Sequence, residues 1–161
     1  PERSDKVAEL IRDAELTFAR RSKGEAITPQ TQVYLADTLG ELGTFYALSP
    51  LVFLGGSLRP IGGHNPFEVA QAGAAVITGP GTSNFTETFP PLIAAGGAVE
   101  VQDAPGLAQA VQHWLEEPEA LHAACAAASG FAKSQAQELD GVADLLIDRL
   151  GLGAKGTHPD A

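Results

Sequence analysis

The stretch LVFLGGSLRPIGGHNPFEVAQAGAAVITG, residues 51–79, decides the fold. It opens on LVFLGG, 51–56, and closes on AAVITG, 74–79; both runs are apolar and end in glycine. Short, wholly apolar runs are expected of strands in a parallel sheet covered by helices on both faces. FEVAQAG, 67–73, reads as a short helix between them. Strand, loop, helix and strand in succession form a parallel crossover unit.

Working outward, the alternation continues. Towards the N-terminus, residues 2–13 read as a helix with Val7, Leu10 and Ile11 at helical spacing, LTFA at 16–19 as a strand, and Val33–Ala36 as a second strand. LGELGTFYALS, 39–49, reads as a helix with Leu39, Leu42, Tyr46 and Phe45 inward. Towards the C-terminus, 84–96 reads as a helix bent by Pro90 and Pro91, and GAVEV, 97–101, as a strand. DAPGLAQAVQHWL, 103–115, reads as a helix capped by Asp103, with Leu107, Val111 and Leu115 on one face. Two further helices are expected, one from Pro118 and one from Gln135 to Leu150, before a frayed tail. The expectation is an α/β fold, an open Rossmann-like parallel sheet with helices on both faces. Its right-handed crossovers place loops 55–65 and 79–84 on one edge, where such sheets bind ligands. The chain begins on a helix where such a fold normally begins on a strand, so either the first units lie outside this sequence or the opening segment is not a helix.

Loop 55–65 holds more than a turn requires. Asn65 suits a helix cap, Pro66 the first helical position, and Glu68 the third, from which it can fold back on the Asn65 N–H. Capping leaves Gly62-Gly63 unexplained. Glycines let backbone N–H groups approach an anion, and a helix start adds free donors. With Gly55-Gly56 they leave room for a phosphate and a hydroxylated group, and Glu68 can alternatively accept from a ribose diol. His64 either donates to a carbonyl or faces the ligand. Arg20 and Arg21 either grip an anion or lie in a solvated loop, and Arg59 either leans over the anion or faces solvent. In TGPGTSNFTE, 78–87, Ser83 and Asn84 are candidate caps, and Glu87 repeats the cap-plus-three spacing. Asp37 and Glu41 supply charge at a helix start or form a carboxylate pair.

Composition narrows the classes. Twenty acidic residues face ten basic ones, a formal charge of −10, so the average surface repels nucleic acid and anionic lipid. Hydrophobic residues make up 44%, as in a soluble globule. No apolar run approaches a spanning helix, and PERSDKVAEL is charged throughout, unlike a signal peptide. Cys125, the single cysteine, reads as a small buried apolar residue. His113, His122 and His158 lack metal-ligand spacing, and no metal is expected. Walker A, HExxH and a nucleophile elbow are all missing from the sequence.

Asp37-Thr-Leu-Gly-Glu-Leu42 and Gly62-Gly-His-Asn-Pro-Phe-Glu68, with GTSNFTETF at 81–89, PER at 1–3 and RRSKGE at 20–25, resemble the 3-deoxy-D-manno-octulosonic acid (Kdo) transferases of lipopolysaccharide assembly. The resemblance weakens after about residue 103. It implies one half of a GT-B glycosyltransferase, N-terminally incomplete. Residues 1–152 would be part of the C-terminal domain that binds the CMP-Kdo donor, and 153–161 a flexible tail. Gly62, Gly63, His64 and Asn65 would cradle the phosphate, and Glu68 would hold the ribose. Arg20, or Arg21, would be the basic residue near the donor. Gly55, Gly56 and Ser57 would shape the pocket, with Asn84 and Glu87 on its rim. The catalytic base is unknown here and implied on an N-terminal domain, which would bind the lipid A precursor. No cofactor is implied. The fragment alone would be soluble and inactive, and the parent would act at the cytoplasmic face of the inner membrane. The family's Asn-Pro-Leu-Glu-Pro is altered at Phe67 and Val69, and Gly81 stands where a histidine is common. Other readings are a noncatalytic nucleotide- or sugar-phosphate-binding domain, and part of a GT-B-type nucleotide-sugar epimerase.

Overall fold

A computed structural model describes residues 2–150. The chain divides into two compact units, Pro1–Thr44 and Phe45–Ala161. The tail assigned to 153–161, with His158, lies outside the described residues.

In the first unit, helix α1 (Ser4–Asp13) packs on a two-stranded parallel sheet, β1 (Phe18–Arg20) beside β2 (Val33–Leu35). The inward residue of α1 is Ala8, 1% exposed, whereas Val7 and Leu10 of the expected apolar stripe are exposed. A small side chain lets the helix lie close to a sheet of only two strands. The Arg12 guanidinium instead covers the Phe18 ring at 5.3 Å, a favourable cation–π geometry. β1 begins two residues later and ends one residue later than expected, which makes Arg20 its last residue rather than the first of a loop. A single 3-10 turn, Arg21–Lys23, follows, and Gly24 closes it with a φ of +65°.

Helix α2 (Leu42–Leu48) carries the chain into the second unit. Leu39 and Leu42 are exposed, contrary to expectation, because Leu39 precedes the helix; Tyr46 does pack against the core. The second unit is built on a parallel sheet of β3 (Leu51–Phe53), β4 (Ala75–Thr78) and β5 (Ala98–Glu100), with β4 in the centre. Register pairs Val52 with Val76 and Ile77 with Val99. All four residues of β4 are buried, as a central strand between two helical layers requires.

Alternation along β4 divides the core. Val76 joins Leu54, Val69, Ala70, Phe89, Leu92 and Ala128 on one face, while Ala75 and Ile77 join Val101, Trp114, Leu121 and Ala124 on the other. Helices α3 (Phe67–Gln71) and α4 (Phe89–Ala94) cover the first face, and α5 (Ala104–Glu116) the second. Asp103 caps α5 as expected, its Oδ1 accepting from the Gly106 N–H at 2.8 Å. Leu107 and Val111 pack inward, but Trp114 takes the buried place and Leu115 faces out.

Two helical expectations fail for identifiable reasons. Segment 84–96 splits into a 3-10 turn (Ser83–Phe85) and α4, because Pro90 and Pro91 occupy the first turn of α4, where proline needs no N–H partner. The two helices expected after residue 117 are one, α6 (Pro118–Leu150), of 33 residues. Gly130 lies exposed inside it and, at about 1 kcal/mol, costs too little to end a helix. Leu121 and Ala124 of α6 serve one core face and Ala128 and Ala132 the other. Gly97 lets this helix approach, since a Cβ there would lie 2.7 Å from the Ala128 backbone. Cys125 is half-buried rather than buried, and its Sγ donates to the Pro50 carbonyl.

Candidate functional site

The carboxyl ends of β3 and β4 form one corner of the second unit. After β3, Leu54 is still bonded to the sheet, its N–H donating to the Ile77 carbonyl at 3.0 Å. The chain then opens through Gly55 and Gly56, both exposed, with Gly56 at a φ of +76°. Gly62 and Gly63 have φ values of +97° and +72°, conformations that other residues adopt only with strain. The Asn65 Oδ1 accepts from the Phe67 N–H at 3.0 Å just ahead of α3, and the Pro66 carbonyl accepts the first helical bond, from Ala70. The helix therefore starts one residue later than expected, with Pro66 rather than Asn65 at the cap and Glu68 at the second helical position.

Glu68 is not the second half of a capping box. Its carboxylate is exposed and makes no hydrogen bond among the described residues, to Asn65 or to any other group. Tyr46, half-buried nearby, is a neighbour that the sequence reading assigned only to the core. Burial raises its phenol pKa, and the negative charge of Glu68 raises it further. The sequence held no signal for this pairing beyond helical spacing in α2. His64 donates to no carbonyl among the described residues; its ring lies exposed over Gly56, with Nε2 3.7 Å from where a Cβ would stand.

The second loop closes on the first. Ser57, fully buried, donates its hydroxyl to the Leu54 carbonyl at 2.6 Å and accepts from the Gly79 N–H at 2.8 Å. Ser57 thus shapes the corner from behind. The Ser57 carbonyl accepts from Gly81 at 2.7 Å, and the Gly62 carbonyl from Asn84 at 3.3 Å. Asn84 and Glu87 do not form the expected cap pair, because α4 starts at Phe89, after both of them. Glu87 is exposed, and Asn84 lies over Gly62. Arg59 is exposed beside a shallow hollow of about 190 Å³ lined with Leu58, Pro60, Pro80 and Gly81. Among the described residues no three histidine, cysteine, aspartate or glutamate side chains gather as metal ligands.

In the first unit the two adjacent arginines are ion-paired, not solvated. Arg20, only 9% exposed, gives Nε to Asp37 and one terminal nitrogen to Asp5, both at 2.5 Å, and the other to Ser4 Oγ at 2.9 Å. Three of its five N–H donors are engaged. Arg21 grips Glu41 through two bonds, of 2.7 and 3.2 Å. Asp37 and Glu41 therefore neither charge a helix start nor form a carboxylate pair; each serves a different arginine. Burial opposes ionisation of Asp37, but the Arg20 guanidinium and the Ser22 hydroxyl and N–H outweigh it and hold the carboxyl well below the usual range. Arg21, with help from the Thr38 hydroxyl, holds the Glu41 carboxyl down at about 2.

Such depressed values make the first unit sensitive to acid. A carboxyl whose pKa is lowered by folding stabilises the fold above its unfolded value, and the stabilisation disappears as pH falls through the folded value. For Glu41 that window runs from its ordinary 4.5 down to about 2. Carbon-detected titration of the Glu41 carboxyl should show its midpoint near the lower end. Amide protection in residues 18–35 should fall across the same window, and less so in Glu41→Gln. A midpoint near 4.5 would show the Arg21 pair to be ineffective in solution.

No family model matches the chain. It is 42% identical over 120 residues to the 3-deoxy-D-manno-octulosonic acid transferase of Haemophilus influenzae, covering 74% of the chain and 28% of that protein. It is 37% identical over 152 residues to the Bordetella pertussis enzyme of the same name, covering 94% of the chain and 36% of that protein. Among solved structures, the C-terminal CMP-Kdo binding domain of WaaA from Acinetobacter baumannii matches with a TM-score of 0.78 at 39% identity, over 81% of the chain and 68% of that domain. The chain thus spans about a third of the two transferases but two thirds of the single domain.

Parallel strands, helices on both sheet faces and a glycine corner at the strand ends define one Rossmann-like half of a GT-B glycosyltransferase. Within that class, the chain belongs to the 3-deoxy-D-manno-octulosonic acid (Kdo) transferase family and corresponds to part of its C-terminal domain.

Proposed function

We propose that this chain is the donor-binding part of a glycosyltransferase that moves Kdo from CMP-Kdo to a lipid A precursor during lipopolysaccharide assembly. The observation that carries the reading is the Gly62–Glu68 corner, where positive-φ glycines lie beside a carboxylate with no hydrogen bond among the described residues. The backbone N–H groups of that corner would take the phosphate of CMP, and Glu68 the ribose diol. His64 and Asn65 would border the phosphate, and Gly55 and Gly56 would leave room for the sugar. In the transfer, the acceptor hydroxyl attacks the anomeric carbon of Kdo as CMP departs. Preorganised donors stabilise the charge growing on the phosphate. A base on a domain outside this sequence would take the hydroxyl proton. The reading calls for no metal or other cofactor.

Among the described residues no helix is long and apolar enough to cross a membrane. In this reading the parent enzyme meets its lipid acceptor at the cytoplasmic face of the inner membrane through its other domain. Calorimetry with CMP and UMP tests the proposal. The chain should bind CMP more tightly than UMP, and by itself should transfer no Kdo to lipid A precursor. Equal affinity for the two nucleotides would overturn cytidine recognition, and no binding by the folded chain would overturn an autonomous site. Turnover by the chain alone would overturn the division of labour between domains.

A further inference from the structure

We propose that Asn84 is a positioning residue for the donor site, acting through Gly62 rather than touching the nucleotide. The inference rests on the donor-binding reading of the Gly62–Glu68 corner. Loop 79–84 is anchored at its base, where Ser57 binds Gly79 and Gly81 at 2.8 and 2.7 Å. Its far end reaches the glycine pair. There the Asn84 N–H donates to the Gly62 carbonyl, and the Asn84 carboxamide fills the space that a side chain on Gly62 would occupy. Gly63 faces the same loop, since its Cβ would lie 2.9 Å from the Gly81 carbonyl.

Glycines at φ values of +97° and +72° have alternatives that other residues lack, so an unrestrained Gly62-Gly63 would sample several backbone arrangements. Covering one face of Gly62 removes many of them before any ligand arrives. A loop already held in its binding geometry loses less freedom on binding and so binds more tightly. The Asn84 side chain makes no hydrogen bond of its own among the described residues and is exposed, so the fold depends little on it.

Asn84→Ala separates this role from the others. In the full chain its melting temperature should stay within about 2 °C of the parent, while the CMP dissociation constant rises about tenfold. The amide signals of Gly62 and Gly63 should shift, or exchange faster, in the ligand-free protein. Asn84→Asp, of nearly the same shape, should restore the ligand-free signals. Weaker CMP binding with those signals unchanged would mean direct contact and overturn the proposal. A lowered melting temperature with unchanged CMP affinity would also overturn it, because the role would be merely structural. Failure of the alanine variant to fold would do the same unless Asn84→Ser, folded, moves the Gly62 and Gly63 signals. Should the parent chain bind no CMP, the donor reading fails at this site. The ligand-free signals then decide alone: displaced signals uphold the clamp, and unchanged ones refute it.

Discussion

Gly63→Ala is expected to destabilise the second unit by roughly 2–5 kcal/mol and to abolish measurable binding of CMP. Two separate costs meet at this position. The φ of +72° is left-handed, which for a residue with a Cβ costs about 1–2 kcal/mol. The added methyl would also lie 2.9 Å from the Gly81 carbonyl oxygen and 3.5 Å from the Thr82 Cα. Both are backbone atoms of a loop anchored to Ser57, so they cannot swing aside as a side chain would. Overpacking of that kind costs about 1–3 kcal/mol. Gly73 supplies the control, with a φ of +81° and nothing within 4 Å of its missing Cβ. Gly73→Ala should show the backbone cost alone. Urea unfolding of both variants measures the difference directly. Equal losses would mean that loop 79–84 yields freely to the methyl and that the two loops are not a single rigid corner.

This corner was largely legible in the sequence, and the reason is local. A parallel strand between two helical layers must be apolar on both faces, so LVF and AVIT announce themselves without reference to the rest of the chain. The glycines are an equally local signal, and Gly62 and Gly63 do take positive φ; the helix start was legible only to within one residue, since Pro66 and not Asn65 stands at the cap. What depended on contacts across the fold was not legible. Ser57 looks like a ligand group beside Gly55-Gly56, yet its hydroxyl is spent between Leu54 and Gly79, a partner 22 positions away. Arg20 and Arg21 look free because no nearby residue competes for them in sequence; Asp37 and Glu41 meet them only when β1 and β2 pair. Moving the end of β1 by one residue, from Ala19 to Arg20, was enough to turn Arg20 from a loop residue into a buried one. The continuity of α6 escaped for the opposite reason. Its second half buries no side chain, so neither periodicity nor burial marked Ser134–Leu150 as part of one long helix.

Glu68→Gln should lower kcat/KM of the whole transferase about tenfold or more, some 1.4 kcal/mol in transition-state stabilisation, while leaving stability nearly unchanged. The two halves of this expectation have different grounds. Stability should hold because Glu68 is exposed and makes no bond to Asn65, so glutamine removes no interaction on which the helix start depends. Substitutions of this kind usually stay within about 0.5 kcal/mol. Donor use should fall because a carboxylate accepts hydrogen bonds from a diol more strongly than a neutral amide does. Tyr46 gives an internal check that needs no substrate. Burial and the Glu68 charge both raise its phenol pKa, so removing the charge should lower that pKa while the burial contribution remains. Ultraviolet titration of the variant and its parent reads this shift. If the phenol shifts but kcat/KM does not, Glu68 faces Tyr46 and not the ribose, and the diol must be held by another group. If the melting temperature falls while kcat/KM at a permissive temperature is unchanged, the carboxylate serves the helix start after all. A loss in kcat/KM with both the fold and the expected phenol shift intact would leave ligand contact as the role of Glu68.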